Sequence, residues 1–168
     1  MRLADLAPGL LAAAMLSLPA VAQDLFLGET ADGGLVSALR DCALEKEIGV
    51  AMECRFDLNF PCVDRGVNDD ICMLREAAAW DIVMAEALSG AQARAGQADA
   101  LAESQSGPAT AAAQLLESQT LFEAYRAADC PARAQPHAPA ANAARIYNLC
   151  LIDMTALRVM VLDHWARK

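Results

Sequence analysis

Along residues 68–88, NDDICMLREAAAWDIVMAEAL, the apolar positions Met73, Ala77, Trp80, Met84 and Ala87 recur at spacings of four and three and draw one stripe along a helix. Asn68, Asp69 or Asp70 supplies the cap for its open backbone donors, and acid at that end suits the helix dipole. A methionine and tryptophan stripe at this spacing packs against another helix rather than lining a ligand box. Upstream, Leu35, Leu39 and Cys42 predict a short helix through about Glu47. Val50 and Cys54 predict a second short segment after Gly49, interrupted by Pro61.

From Ser89 to Gly107 the chain is rich in Ala, Gly, Gln and Ser, with Leu101 almost its only large apolar residue. The pattern there predicts frayed helix or a mobile connection, the most variable part of the fold. Pro108 is placed to open the next helix, which carries Leu115, Gln119 and Phe122 on one side and continues through Arg126 and Cys130. Pro131, Pro136 and Pro139 then turn the chain. A last helix runs from about Asn142 to near Trp165, with Ile146, Cys150, Met154 or Asp153, Leu157 and Val161 on a face. The sequence has no strand-like alternation and no internal repeat, so the expected architecture is all-α, a small bundle of antiparallel helices.

Ahead of these helices, Arg2, the apolar run from Leu6 to Leu18 and the small-x-small Ala20-Val21-Ala22 predict a signal peptide over residues 1–22, cleaved before Gln23. The run is too short for a span of about 20 residues. The first cysteine is Cys42, so neither a lipid anchor at the cleavage point nor a stable membrane anchor after cleavage is expected. Residues 23–168 then form one domain, with an N-terminal arm that turns at Gly33-Gly34. The leader takes away one base and one acid, Arg2 and Asp5, so the remainder keeps the chain's formal charge of −9. That sign disfavours nucleic acid and anionic lipid as partners, serves solubility, and steers a basic partner inward.

Six cysteines, Cys42, Cys54, Cys62, Cys72, Cys130 and Cys150, in an exported chain predict three disulfides. Sequential pairing, Cys42 with Cys54, Cys62 with Cys72 and Cys130 with Cys150, would clip a short turn between neighbouring helical segments in each case. Each bridge is worth on the order of 3 kcal/mol. No CxxC or HxxxH pair is present for zinc or thiol exchange and no CxxCH for haem, so no metal or cofactor is expected.

With these elements in place the chain resembles the lysozyme inhibitor LprI-like family, in its N-terminal domain. The resemblance rests on CMLREAAAWD (Cys72, Glu76, Trp80, Asp81), QTLFEAYRAADC (Gln119, Tyr125, Arg126, Cys130) and CLIDMTALR (Cys150, Leu151, Thr155, Arg158). The chain departs from the family pattern at Met84, Ala85 and Leu88, at Phe122 where a tryptophan is usual, and in prolines and alanines replacing a glycine-rich loop between the last two cysteines. In this register Phe122 and Tyr125 supply core area, Cys130 fastens its helix to the last one, and Arg126 calls for a carboxylate. Asp81 is the favoured partner, with Glu76 or Asp129 as alternatives. Tyr125, Arg126, Thr155 and Arg158 read as structural residues rather than binding ones.

Catalysis is not expected, since His137 and His164 fall in a proline-rich loop and at the chain end, outside any nucleophile or metal motif. The resemblance implies a periplasmic or secreted binding protein that inhibits lysozyme by non-covalent occlusion, its partner a basic lysozyme. The competing class is a structural or interaction protein of the cell envelope that holds another envelope protein and has no lysozyme-inhibiting activity.

Overall fold

The computed structural model describes residues 33–45, 53–55, 59–64, 66, 68–138 and 142–167. The expected signal peptide, the arm over residues 23–32 and most of the segment after Gly49 lie outside the described residues. The elements are α1 (Gly33–Glu45), α2 (Asn59–Asp64), α3 (Asp69–Ser104), α4 (Ala111–Ala134), a 3₁₀ turn at Gln135–His137 and α5 (Asn142–Arg167). Among the described residues all regular structure is helical, and the fold is a disulfide-braced helical bundle.

The start of α3 follows its sequence. The Asn68 side chain accepts from Asp70 N at 2.9 Å, and Asp69 and Asp70 occupy the first turn, where carboxylates favour the positive end of the helix. Met73, Ala77, Trp80, Met84 and Ala87 are all buried, as their spacing requires. Together with Leu39 of α1 and Ile152, Val159 and Leu162 of α5 they make the main core. Each large apolar side chain so buried contributes about 1.5–3 kcal/mol.

The most extensive helix interface is between α3 and α5, with α4 packed on both and α1 on the other side of the pair. Arg145 pairs with Asp69 at one end, and an added Gly90 Cβ would stand 3.3 Å from Ala166 Cβ at the other, so α3 and α5 run in the same direction. Cys130 is bonded to Cys150 and Gln119 meets Arg158, so α4 runs against both. The path is up, down, up, with antiparallel neighbours along the chain.

Three disulfides, Cys42–Cys54, Cys62–Cys72 and Cys130–Cys150, tie α1 to the turn at Glu53–Arg55, α2 to the start of α3, and α4 to α5. Arg40 of α1 grips Glu86 of α3 with two hydrogen bonds of 2.6 and 2.5 Å, and Arg55 pairs with Asp153.

The structure corrects five readings of the sequence. Residues 89–104 are not a frayed connection: α3 continues unbroken to Ser104, because Ala91 and Ala95 are fully buried and their small side chains let Leu115 of α4 pack close. Pro61 does not interrupt a helix but sits in the first turn of α2, where no intrahelical donor is lost. Pro108 does not open α4, which begins at Ala111.

Pro131 does not turn the chain either; α4 runs on to Ala134. The carbonyl that loses its donor to that proline belongs to Ala127, an exposed residue that water can serve. On α5, Leu157 and Val161 are 49% and 50% exposed, and the buried face is Ile152, Thr155, Ala156, Val159 and Leu162 instead. Cys150 and Met154 belong to a separate small cluster with Cys130.

Candidate functional site

Where α3, α4 and α5 meet, the sequence places polar side chains on faces that are otherwise apolar. On α3, Glu76 is fully buried, and its Oε1 accepts from Trp80 Nε1 at 3.3 Å, one turn on. Trp80 is also fully buried, so the indole N–H needs this acceptor. Further along the same helix Asp81 sits at the rim, exposed, and forms an ion pair with Arg126 of α4. Arg126 Nη1 also donates to Thr155 Oγ1 of α5 at 2.6 Å. One guanidinium thus joins all three helices.

A second guanidinium lies beneath it. Arg158 of α5 is only 9% exposed and donates from Nε to Gln119 Oε1 of α4 at 2.9 Å. The amide of Gln119, itself buried, passes the link on, with Nε2 donating to Glu123 Oε1 at 2.8 Å and lying 3.9 Å from Met84 Sδ of α3. The ring of Phe122 lies between the two cations, with Arg158 Cζ 5.4 Å and Arg126 Cζ 5.7 Å from its centroid. The phenyl ring offers its π-face to both guanidiniums. Burial pushes the Arg158 pKa down, with the Glu123 carboxylate opposing it, yet an arginine keeps its charge throughout. Its Nη2 is buried with no hydrogen-bond partner, which makes Arg158 a costly residue to hold.

Of the residues singled out in the sequence, Gln119, Arg126, Thr155, Arg158 and Asp81 therefore share one network, and Glu76 and Trp80 form a bonded pair on α3. Tyr125 does not belong to it. It is 57% exposed on the outer side of α4, so it supplies little of the core area expected of it; Asp129, and to a lesser extent the Tyr125 hydroxyl, raise the pKa of Arg133 further along the same helix. Asp129 pairs with Arg133 and not with Arg126. Glu123 is part of the network and is not singled out by the sequence, and Met84, read there as a core stripe residue, borders it. Glu123 lies four residues after Gln119, a spacing that could have signalled it. The seam's charges are directed at one another and at Thr155 and Gln119, an arrangement that holds three helices in register.

The other end of α3 is built differently. Asp99 reaches across to α4, its two carboxylate oxygens accepting from Ala111 N and Ala112 N at 2.7 and 2.9 Å. It caps a helix whose own Thr110 makes no side-chain cap. The spacing of twelve residues gives no local signal for this contact. The turn between the helices closes with Gly107 N on Ala102 O at 2.8 Å and Ser106 N on Glu103 O at 3.0 Å, with Ser106 in the left-handed region at φ 59°. Beside it, Arg94 and Ala98 of α3 and His164 and Trp165 of α5 line a cleft of about 320 Å³. His137 is exposed in the 3₁₀ turn, far along the chain from this cleft. Among the described residues no group of His, Cys, Asp and Glu is gathered as a metal site would need, and no helix is long and apolar enough to cross a membrane.

A comparison with protein-family models matches residues 62–162, more than half of the chain, to a family described as lysozyme inhibitor LprI. The matched span begins at Cys62 and takes in the whole polar seam, the α3–α4 hairpin and the Cys130–Cys150 bridge. No curated protein and no solved structure gives a match.

Proposed function

The chain belongs to the LprI family of lysozyme inhibitors, and from that premise we propose that it is an exported binding protein that blocks a lysozyme without reacting with it. Family membership over residues 62–162 is the observation that carries the reading. Physical features of the chain support it. Three disulfides suit an oxidising compartment such as the periplasm or the cell exterior. A formal charge of −9 favours encounter with a basic enzyme, and lysozymes work through a carboxylate-bearing cleft that a rigid protein can cover. The bundle is held before it meets its partner, by disulfides and by the α3–α4–α5 seam, so little ordering entropy is lost on docking. A standard interface of about 1,200–2,000 Å² would suffice for stable occlusion.

The test is lysozyme-catalysed clearing of a peptidoglycan suspension with the oxidised protein, residues 23–168, added at two salt concentrations. Dose-dependent inhibition that weakens with salt is the expected result, because steering between unlike charges is screened. Clearing at an unchanged rate with every class of lysozyme would refute the proposal and leave an envelope interaction protein as the reading to pursue.

A further inference from the structure

The three long helices do not end together. The last turn of α5 lies beside Gly90 of α3, whereas α3 continues to Ser104 and α4 begins at Ala111, joined to it by the Asp99 cap. From residue 91 to residue 104 the rise of about 1.5 Å per residue carries α3 roughly 20 Å further. Among the described residues no helix continues α5 beyond that point, and α4 accompanies α3 only from Asp99, where Ala111 and Ala112 meet it, back toward Gly90. At the end of α5 a cleft is lined by Arg94 and Ala98 of α3 and by His164 and Trp165 of α5.

Side-chain spacing shows which exposed residues flank this cleft. Leu101 follows Arg94 by seven residues and Ala98 by three, so it continues the stripe of α3 that borders the cleft. Glu123 is on the α5 side of α4, close enough to act on Arg158, and Leu116 lies two turns before it on that same side. Leu101, Leu116 and Trp165 are 61%, 59% and 42% exposed. Large apolar side chains gathered around a concave opening mark a partner surface. By contrast, Leu121 and Tyr125 are exposed on the outer side of α4.

Resting on the reading above, we propose that this open end, comprising Arg94, Ala98, Leu101, Leu116, His164 and Trp165, is the surface that docks on the lysozyme, with an apolar or aromatic side chain of the enzyme seated against Trp165. Charge complementarity supports that occupant. The hairpin exposes the carboxylates of Glu103 and Glu117 next to the two leucines, on a chain whose net charge is −9, so a basic enzyme meets apolar contact with acid at its edge. The cleft's volume of about 320 Å³ takes one large side chain.

The experiment measures inhibition of lysozyme by the oxidised wild-type protein and by three variants. Trp165→Ala removes one side chain of the cleft lining, Ala98→Trp fills the cleft from an exposed helical position, and a Leu121→Ser, Tyr125→Ser double variant alters the other apolar face. The first two are expected to raise the concentration for half-inhibition by about tenfold or more, and the double variant by less than about twofold. Far-ultraviolet circular dichroism and melting temperature check the fold, and if Trp165→Ala is unfolded, Ala98→Trp decides. Wild-type inhibition that Ala98→Trp leaves unchanged overturns the docking surface and spares the inhibitor reading. No inhibition by the wild type overturns both.

Discussion

The two halves of α3 hold their neighbours by opposite means. From Asp69 to about Leu88 the helix presents Met73, Trp80, Val83 and Met84 and the carboxylates of Glu76 and Asp81; Trp80 bonds Glu76, and Arg126 of α4 pairs with Asp81 while donating to Thr155 of α5. From Ala91 to Ser104 it presents alanine, and Ala91 and Ala95 are fully buried in the same core cluster as Leu115 of α4. The first half is fixed by volume and by directed polar bonds. The second is fixed by the lack of volume and by one carboxylate at the helix end. Large side chains with ion pairs specify register strongly, and they leave no groove. Small side chains leave the far side of the hairpin open, which is where a partner can enter.

That contrast can be broken most forcefully in the first half. Trp80→Ala removes the largest fully buried side chain and the donor to Glu76, and is expected to cost about 3–5 kcal/mol, read as a lower denaturant midpoint. Arg158→Ala comes next, at about 1–3 kcal/mol, because it strands Gln119 Oε1 and opens a void beside Phe122. Arg158→Met keeps most of the volume and removes a guanidinium whose Nη2 has no partner, so it is expected to cost less than the alanine variant.

In the second half the effects are smaller and local. Asp99→Ala is expected to cost about 1 kcal/mol and to speed amide exchange at Ala111 and Ala112, while leaving exchange in the Trp80 region unchanged. Ser106→Gly runs the other way, a gain of up to about 1 kcal/mol, since glycine adopts φ 59° without the Cβ penalty. Gly107 is no substitute, because its φ is not the left-handed one and a Cβ there would come within 3.3 Å of Ala102 O.

The smallest effect belongs to the surface contact of α1. The hydrogen bond from Arg40, then its charge, holds the Glu86 carboxyl below the usual glutamate range. A folded-state pKa below the unfolded one contributes stability that is complete above the unfolded pKa of about 4.3 and is lost as pH falls through the folded value. Both side chains are partly exposed, so solvent screens most of the effect. Glu86→Gln is therefore expected to flatten the acid side of the melting-temperature profile slightly and to leave the profile above pH 5 nearly parallel to that of the wild type.

Legibility in the sequence followed the same division. The spacing of Met73, Ala77, Trp80 and Met84 announced the first half of α3, and Arg126 with Asp81 could be matched because each needs an opposite charge. Ser89 to Gly107 was opaque because periodicity is read from large apolar residues, and there the packing is carried by alanines that look alike on every face. Asp99 was missed since its partners are backbone groups twelve residues on, and Leu157 and Val161 misled because exposure at an open or lightly covered face leaves the same letters as burial. The Arg158–Gln119–Glu123 chain was half visible. Gln119 and Arg158 stood out through the motifs that carry the family resemblance, but only the fold brought α5 against α4 at that height.

Hydrogen–deuterium exchange of the oxidised protein, alone and with a saturating excess of an inhibited lysozyme, tests the central claim that the seam is scaffold and the open hairpin end is contact surface. The account predicts added protection over residues 94–104, 111–117 and 162–167, with residues 72–84, 119–130 and 150–158 exchanging as they do in the free protein. Protection confined to the seam, with the hairpin end unchanged, would contradict it.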